Sequence, residues 1–326
     1  MQGRRVVITQ PGGPEVLRLE SCEVPAPGPR EALIRQRAIG LNYIDLHHRT
    51  GRYALPSFPS PIGLEAAGVI EAVGAEVRDV KVGDRVAYSA PPIGAYADLR
   101  CMPVGPLVPL PATIADDLAA GILTKGLTAH YLIFTTYPVK PGDTILVHAA
   151  AGGVGLILCQ WAAHLGATVI GTVGTDEKAV LARAHGCAHT IVYTREDFVA
   201  RVRELTGGKG VPVVYDAVGQ DTFEGSLRCL APRGLLASFG TASGPIPPFD
   251  LFRLNTMGSL YVTSPAFVTH ATERSELLKR ARDLFAAIDG GIVKMTVSNR
   301  YELADAARAQ EDLRARRTTG VSVLIP

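Results

Sequence analysis

An apolar strand, a turn of small residues and a helix, met in that order in TILVHAAAGGVGLILCQWAAHLGA (144–167), constrain this 326-residue chain more than any other feature. The turn reads Ala150-x-Gly152-x-x-Gly155. Gly152 lets the backbone approach a pyrophosphate, and Gly155 lets the helix pack closely on the sheet. The first amides of the helix and the positive end of its dipole then face the phosphates. A glycine pattern alone is weak evidence. Here it sits between a strand and a helix within a train of such units, and that context predicts a dinucleotide site.

The train is long. Apolar strands are expected at 144–149, 167–173, 189–193, 211–218, 234–240 and 259–263, separated by helices near 154–165, 176–185, 195–205 and 221–230. Near-continuous apolar strands joined by helices imply a parallel sheet covered on both faces, because parallel neighbours need a crossover connection. Six of them predict a Rossmann doubly wound parallel sheet, hence an α/β chain. The first 110 residues read differently, as short strands (RRVVIT, EALIRQRAI, GVIEAVG, DRVAYSA) broken by PAPGP and PSFPSP, the punctuation of an irregular all-β region. A long helix runs from Ile114 toward Tyr137. After Pro265 come a helix to about Asp289, a short strand, a helix from Glu302 to about Arg316 and a closing strand, VSVLIP. The expected domains are 1–124, 125–265 as the inserted cofactor domain, and 266–326 returning to the first.

Composition narrows the partners. Lys and Arg total 33 against 31 acids, and a net charge of +2 spread over this length gives no field that favours nucleic acid. No window approaches the ~20 apolar residues of a bilayer span, and MQGRRVVITQ lacks a signal-peptide core, so no membrane insertion and a cytoplasmic location are expected. The five cysteines form no CxxC pair and read as buried, reduced thiols.

The choice of dinucleotide depends on the tip of the second strand of the train, where an acid would hold the ribose hydroxyls. That tip is Gly171-Thr172-Val173-Gly174-Thr175, without an acid, and Lys178 follows one turn into the next helix. This reads as NADPH. The alternative makes Lys178 a solvated helix residue and Asp176 the ribose acid of an NAD enzyme. Tyr193 packs beside adenosine or forms an ordinary core edge.

The run Asn42-Tyr43-Ile44-Asp45-x-x-x-Arg49-x-Gly51-x-Tyr53, then Pro61-x-Gly63-x-Glu65-x-x-Gly68 and Gly83-Asp84-Arg85-Val86, resembles the medium-chain dehydrogenase/reductase superfamily. With KGLTAHYL (125–132), HAAAGGVG (148–155), GTVGT (171–175) and GSLYVTSP (258–265), the chain is similar over its whole length to the zeta-crystallin-like NADPH:quinone oxidoreductases. The resemblance implies a GroES-like, mainly-β catalytic domain interrupted by a Rossmann domain, NADPH in the cleft between them, a small-molecule quinone as substrate and a homodimer joined through the Rossmann domains. It assigns Asn42 to the nicotinamide and Gly152, Gly153, Val154 and Gly155 to the phosphates. Gly174, Lys178, Tyr193 and Arg316 correspond to the set around the adenosine 2'-phosphate. Tyr131, Phe239, Gly240 and the segment from Pro265 to Phe267 correspond to the remaining cofactor wall. Arg316 lies between Arg314 and Arg317, and a solvated helix end is its other reading.

Zinc alcohol dehydrogenases of this superfamily have a Cys where Asn42 stands and a His where Leu64 stands, and neither replacement binds zinc; the four-cysteine lobe is missing too. No metal is expected. His47 and His48 read as surface or cap residues of the helix after Asn42, and Glu65 as a hydrogen-bonding group within its domain. Without a Lewis acid to stabilise an alkoxide, an alcohol is a poor substrate. A quinone becomes aromatic on reduction and delocalises the developing charge, so positioning and hydrogen-bond donors suffice. Asn42 and Tyr53 are the expected catalytic donors, with packing the other reading of Tyr53. Activated alkenes, for which Tyr53 would protonate the α carbon, are the alternative substrates. A third reading is a crystallin-like or RNA-binding protein with incidental activity.

Overall fold

A computed structural model describes residues 1–271 and 273–326. The chain divides into two compact units: 1–124 with 273–285 and 295–326, and 125–271 with 286–294. The C-terminal segment therefore does not return as one block from residue 266, since 266–271 and 286–294 group with the second unit.

The first unit opens with β1 (Gln2–Ile8), β2 (Leu17–Glu23), β3 (Glu31–Gly40), α1 (Tyr43–Arg49), β4 (Ser60–Pro61), β5 (Glu65–Val73), β6 (Arg85–Ser89), β7 (Leu99–Pro103) and β8 (Val108–Pro109). The helix α2 (Asp116–Tyr131) follows and closes in a π-helical turn, Leu132–Thr136, rather than running on as α-helix to Tyr137.

The second unit comprises β9 (Thr144–Val147), α3 (Gly153–His164), β10 (Thr168–Val173), α4 (Asp176–Ala184), β11 (His189–Val192), α5 (Phe198–Leu205), β12 (Val211–Asp216), α6 (Phe223–Cys229), β13 (Leu230–Ser238), α7 (Phe252–Thr256), β14 (Tyr261–Thr263) and α8 (Phe267–Ala271). The chain ends with α9 (Arg274–Asp289), β15 (Val297–Glu302), α10 (Ala306–Arg314) and β16 (Val321–Ile325).

In the second unit the strands lie in the order β11-β10-β9-β12-β13-β14, all pairs parallel. Numbered within the sheet this is 3-2-1-4-5-6, the doubly wound order whose direction reverses beside its first strand. The run VIGTV of β10 is buried throughout, as burial on both faces demands. Leu146, Ile170, Ile191, Val214 and Leu236 form the core with Val202 and Leu227 of α5 and α6. β14 is the edge strand, with Tyr261 60% and Val262 38% exposed.

In the first unit a seven-stranded sheet runs β15-β16-β3-β5-β6-β8, with β7 also paired to β3, and a second sheet runs β2-β1-β4. Ile34, Ile39, Ile70, Tyr88, Met102 and Leu324 fill its core, and Ala306 and Ala309 seat α10 on it. This is a mainly-β unit, as the broken strand pattern of the first 110 residues requires. Among the described residues no helix is long and apolar enough to cross a membrane.

Candidate functional site

Within the second unit the glycine turn lies at the carboxyl end of β9. Gly152 caps α3 in extended conformation, and its amide bonds Ala149 O at 2.8 Å. The amides of Gly153, Val154 and Gly155 occupy the first helical turn, where a helix supplies no acceptor of its own. A Cβ on Gly155 would lie 2.4 Å from Ala149 O, so only glycine permits this close passage of helix and strand. Ala149 itself takes a left-handed conformation, φ 53°, at the entry to the turn. The arrangement is a cradle of backbone donors that fits a pyrophosphate.

The tips of β10 and β11 bring Gly174 and Tyr193 together, and Lys178 follows in the first turn of α4. Tyr193 Oη would stand 3.0 Å from a Cβ on Gly174, Thr194 Oγ1 donates to Gly174 O at 3.1 Å, and the Lys178 amide donates to the capping Thr175 Oγ1 at 3.3 Å. Tyr193 is 41% exposed, which places it at the rim rather than in the core. Asp176, the alternative ribose acid, holds Arg195 through two hydrogen bonds of 2.5 Å. Arg195 carries no motif and escapes sequence reasoning.

Tyr131 is buried and stacks on His270 of α8, ring centroids 4.3 Å apart and planes 7° from parallel. Burial pushes its hydroxyl up to about 12. His270, Pro265 and Thr263 border a hollow of about 370 Å³ closed on another side by Thr136 and Leu235. Tyr131 and Pro265 of the expected cofactor wall thus share one neighbourhood, with Phe267 opening α8. His270 is a second residue that no sequence signal marks. Phe239 and Gly240 follow β13; the Phe239 amide bonds Asp216 O at 2.9 Å, and a Cβ on Gly240 would meet Ala217 O at 2.7 Å.

Within the first unit Asn42 caps α1. Its backbone amide donates to Asp45 Oδ2 at 2.9 Å and its side-chain Nδ2 donates to Glu65 Oε2 at 2.6 Å. The other oxygen of Glu65 accepts the Thr124 amide at 2.6 Å, and Glu65 is wholly buried. Gly40 makes room for this carboxylate: a Cβ there would stand 2.2 Å from Glu65 Oε2. Asp45 Oδ2 also accepts Tyr96 Oη at 3.0 Å, and Gln310 Nε2 of α10 reaches that hydroxyl at 3.4 Å. Asn42 is therefore fixed at backbone and side chain by two buried carboxylates.

Tyr53, 46% exposed, meets His47 and His48 edge-on, with centroids at 5.2 and 5.9 Å. His48 is buried, not a surface cap, because α1 turns it under the Tyr53 ring. Burial lowers the pKa of both imidazoles, and Arg52 lowers that of His47 further. Arg316 belongs to the first unit, just past α10, with φ 57°. Its neighbours Arg314 and Arg317 pair with Glu311 and Asp312, both at 2.7 Å. Among the described residues no group of three or more His, Cys, Asp or Glu is arranged to hold a metal ion.

Comparison with known proteins agrees with this geometry. Residues 28–136 match the alcohol dehydrogenase GroES-like domain and residues 153–283 the zinc-binding dehydrogenase domain. The chain is 51% identical over 323 residues, 99% of each sequence, to a quinone oxidoreductase of Pseudomonas aeruginosa. It is 45% identical over 326 residues, 98% of each, to a 2-haloacrylate reductase of a Burkholderia species. The crystal structure of an Escherichia coli quinone oxidoreductase complexed with NADPH superposes with a TM-score of 0.97 at 46% identity, covering 99% of this chain and 100% of that one. Motifs, sheet order and full-length likeness agree, and the chain belongs to the quinone oxidoreductases of the medium-chain dehydrogenase/reductase superfamily.

Proposed function

We infer that this protein is an NADPH-dependent quinone oxidoreductase. The observation that carries the reading is full-length likeness, 51% identity over 99% of both chains, in a protein whose second unit keeps the glycine cradle at the carboxyl end of β9. The bound dinucleotide supplies a hydride from its nicotinamide. The chain's own residues bind and orient. The amides of Gly153, Val154 and Gly155 hold the pyrophosphate, with Gly152 allowing the approach. Gly174, Lys178, Tyr193 and Arg316 take the adenosine 2'-phosphate end, and Tyr131, Phe239, Gly240, Pro265 and Phe267 flank the rest. Asn42, its amide plane set by Glu65, orients the reacting end, and with the Tyr53 hydroxyl it donates hydrogen bonds to the acceptor oxygens.

Such donors are adequate for a quinone, which acquires aromaticity on reduction. Asn42 and Leu64, where the zinc enzymes have Cys and His, supply neither thiolate nor imidazole, so the reaction proceeds without a metal. The likeness to a 2-haloacrylate reductase favours a second reading, reduction of an activated alkene with Tyr53 as proton donor. A substrate panel separates the two. Oxidation of NADPH with ortho- and para-quinones supports the first; turnover of 2-haloacrylates or enones with indifference to quinones replaces it with the second.

We place the protein in the zeta-crystallin-like branch on its motifs. We also propose a cytoplasmic homodimer. The five cysteines are all unpaired, as a reducing compartment requires. Tyr261 and Val262 on the edge strand β14, with Leu251 and Phe252 exposed nearby in the chain, offer unpaired backbone and apolar surface to a second copy.

A further inference from the structure

Beneath the glycine turn of the second unit lies a chain of four buried polar side chains. His148 directly follows β9. Its Nδ1 is 2.8 Å from Thr172 Oγ1 of β10, and its Nε2 is 3.0 Å from Ser226 Oγ of α6. Ser226 Oγ lies 3.1 Å from Asp216 Oδ2 at the end of β12. All four residues are 0–1% exposed, and Phe198 closes the imidazole edge-on at 5.0 Å. Asp216 also accepts the Thr222 hydroxyl at 2.7 Å and the amides of Val218 and Gly219 at 2.7 and 3.1 Å.

Proton counting sets the direction of the chain. A carboxylate only accepts, so Ser226 donates its single proton to Asp216. Ser226 Oγ then accepts from His148, which puts the imidazole proton on Nε2. Nδ1 is left to accept from the Thr172 hydroxyl. Burial also holds this histidine neutral, lowering its pKa against the pull of Asp216. Every member is satisfied in one polarity only, which makes the network a rigid clamp across the carboxyl ends of β9, β10 and β12.

The clamp sits at the root of the turn. His148 directly precedes Ala149, whose left-handed backbone starts the reversal and whose carbonyl accepts the Gly152 amide. An L-residue leaves that conformation readily unless its neighbours fix it. We propose that the Thr172–His148–Ser226–Asp216 chain is a positioning device for the cofactor turn, holding His148 as the neutral Nε2–H tautomer so that the first amides of α3 stay aimed at the pyrophosphate. The inference deepens the cofactor reading and rests on it.

The test joins kinetics to spectroscopy on the full chain. Ser226→Ala cuts the chain at its centre, and Thr172→Val removes the other donor with little change in volume. Each is expected to raise the KM for NADPH about tenfold, the effect of about one hydrogen bond, while the quinone KM and kcat at saturating NADPH stay within about twofold. Nitrogen-15 histidine spectra at pH 7, assigned by the signal lost in His148→Gln, are expected to show His148 with its proton on Nε2. An Nδ1–H or doubly protonated ring overturns the proposal, as does an unchanged NADPH KM in both variants. A wild-type protein that binds no NADPH removes the cofactor reading and this inference together, whereas normal wild-type binding with indifferent variants removes the inference alone. Should Ser226→Ala fail to fold, Thr172→Val and the wild-type spectrum decide the matter.

Discussion

Arg195, on the loop after β11, grips Asp176 at the start of α4 through two hydrogen bonds of 2.5 Å, so the acid that would mark an NAD enzyme is occupied by an internal cation. The guanidinium holds the Asp176 carboxyl below the usual carboxylate range. Arg195 thus offsets the charge of Asp176 that would repel a 2'-phosphate at the tip of β10, and Lys178 stands one turn into α4. Lys178→Ala is expected to lower kcat/KM for NADPH tenfold or more and to leave NADH nearly unchanged, because only NADPH carries the extra phosphate; charge-assisted contacts are worth about 1.5–3 kcal/mol. Arg195→Ala exposes Asp176 and is expected to narrow the NADPH:NADH preference several-fold. Equal losses for both cofactors would mean that these residues do not read the phosphate.

Glu65 accepts two N–H groups, from Asn42 and Thr124, each at 2.6 Å. In Glu65→Gln one of those donors faces an amide NH2 in a fully buried site. Leaving a buried donor without its acceptor costs about 1–3 kcal/mol, a fall in Tm of roughly 3–10 °C. Because the same change releases the Asn42 amide, kcat is expected to fall with it. Thermal melting and steady-state kinetics on one preparation check both, and an unchanged Tm contradicts the hydrogen-bond assignment.

The doubly wound sheet is legible in the sequence because its strands are buried on both faces and read as uninterrupted apolar runs. Strands β2 and β7 were not legible: LRLESCE alternates exposed and half-buried residues, and LRCMP carries an arginine through a short strand. The tail misleads for a related reason. One helix is expected from Pro265 to Asp289, but the structure forms α8 and α9 separately, and the helix expected from Glu302 opens one residue later as a 3-10 turn, Leu303–Asp305, that leads into α10, because β15 extends to Glu302. Asn42 and the glycine turn are visible through local motifs. His148 is not, since its partners lie 24 and 78 residues away. His270 is hidden likewise, because its partner Tyr131 sits on a different helix.

Acid should destabilise the protein before its carboxylates titrate. Burial depresses the pKa of His47, His48 and His148 below the ordinary 6.5. Between those folded values and 6.5 the unfolded chain binds protons that the folded chain refuses, so stability rises with pH across this window and is lost as pH falls through it. The Tm is expected to be flat above about pH 7 and to decline from pH 6.5 to 5, with a shallower decline in His48→Leu. A wild-type Tm that rises on acidification over that range would reverse the sign.

The proposed association through β14 would put Tyr261 and Val262, exposed on the edge strand, at the contact between copies. Val262→Asp introduces paired like charges into that contact and is expected to convert a sedimenting dimer into monomers while the far-UV spectrum stays unchanged. A variant that sediments as the wild type does would move the interface elsewhere.

The most direct measurement is NADPH oxidation by a para-quinone with enzyme of known metal content, before and after exhaustive treatment with a zinc chelator. With Asn42 and Leu64 at the positions where zinc enzymes carry Cys and His, quinone-dependent turnover is expected to persist at its full rate with substoichiometric metal. Loss of turnover on chelation, restored by added zinc, would contradict the account.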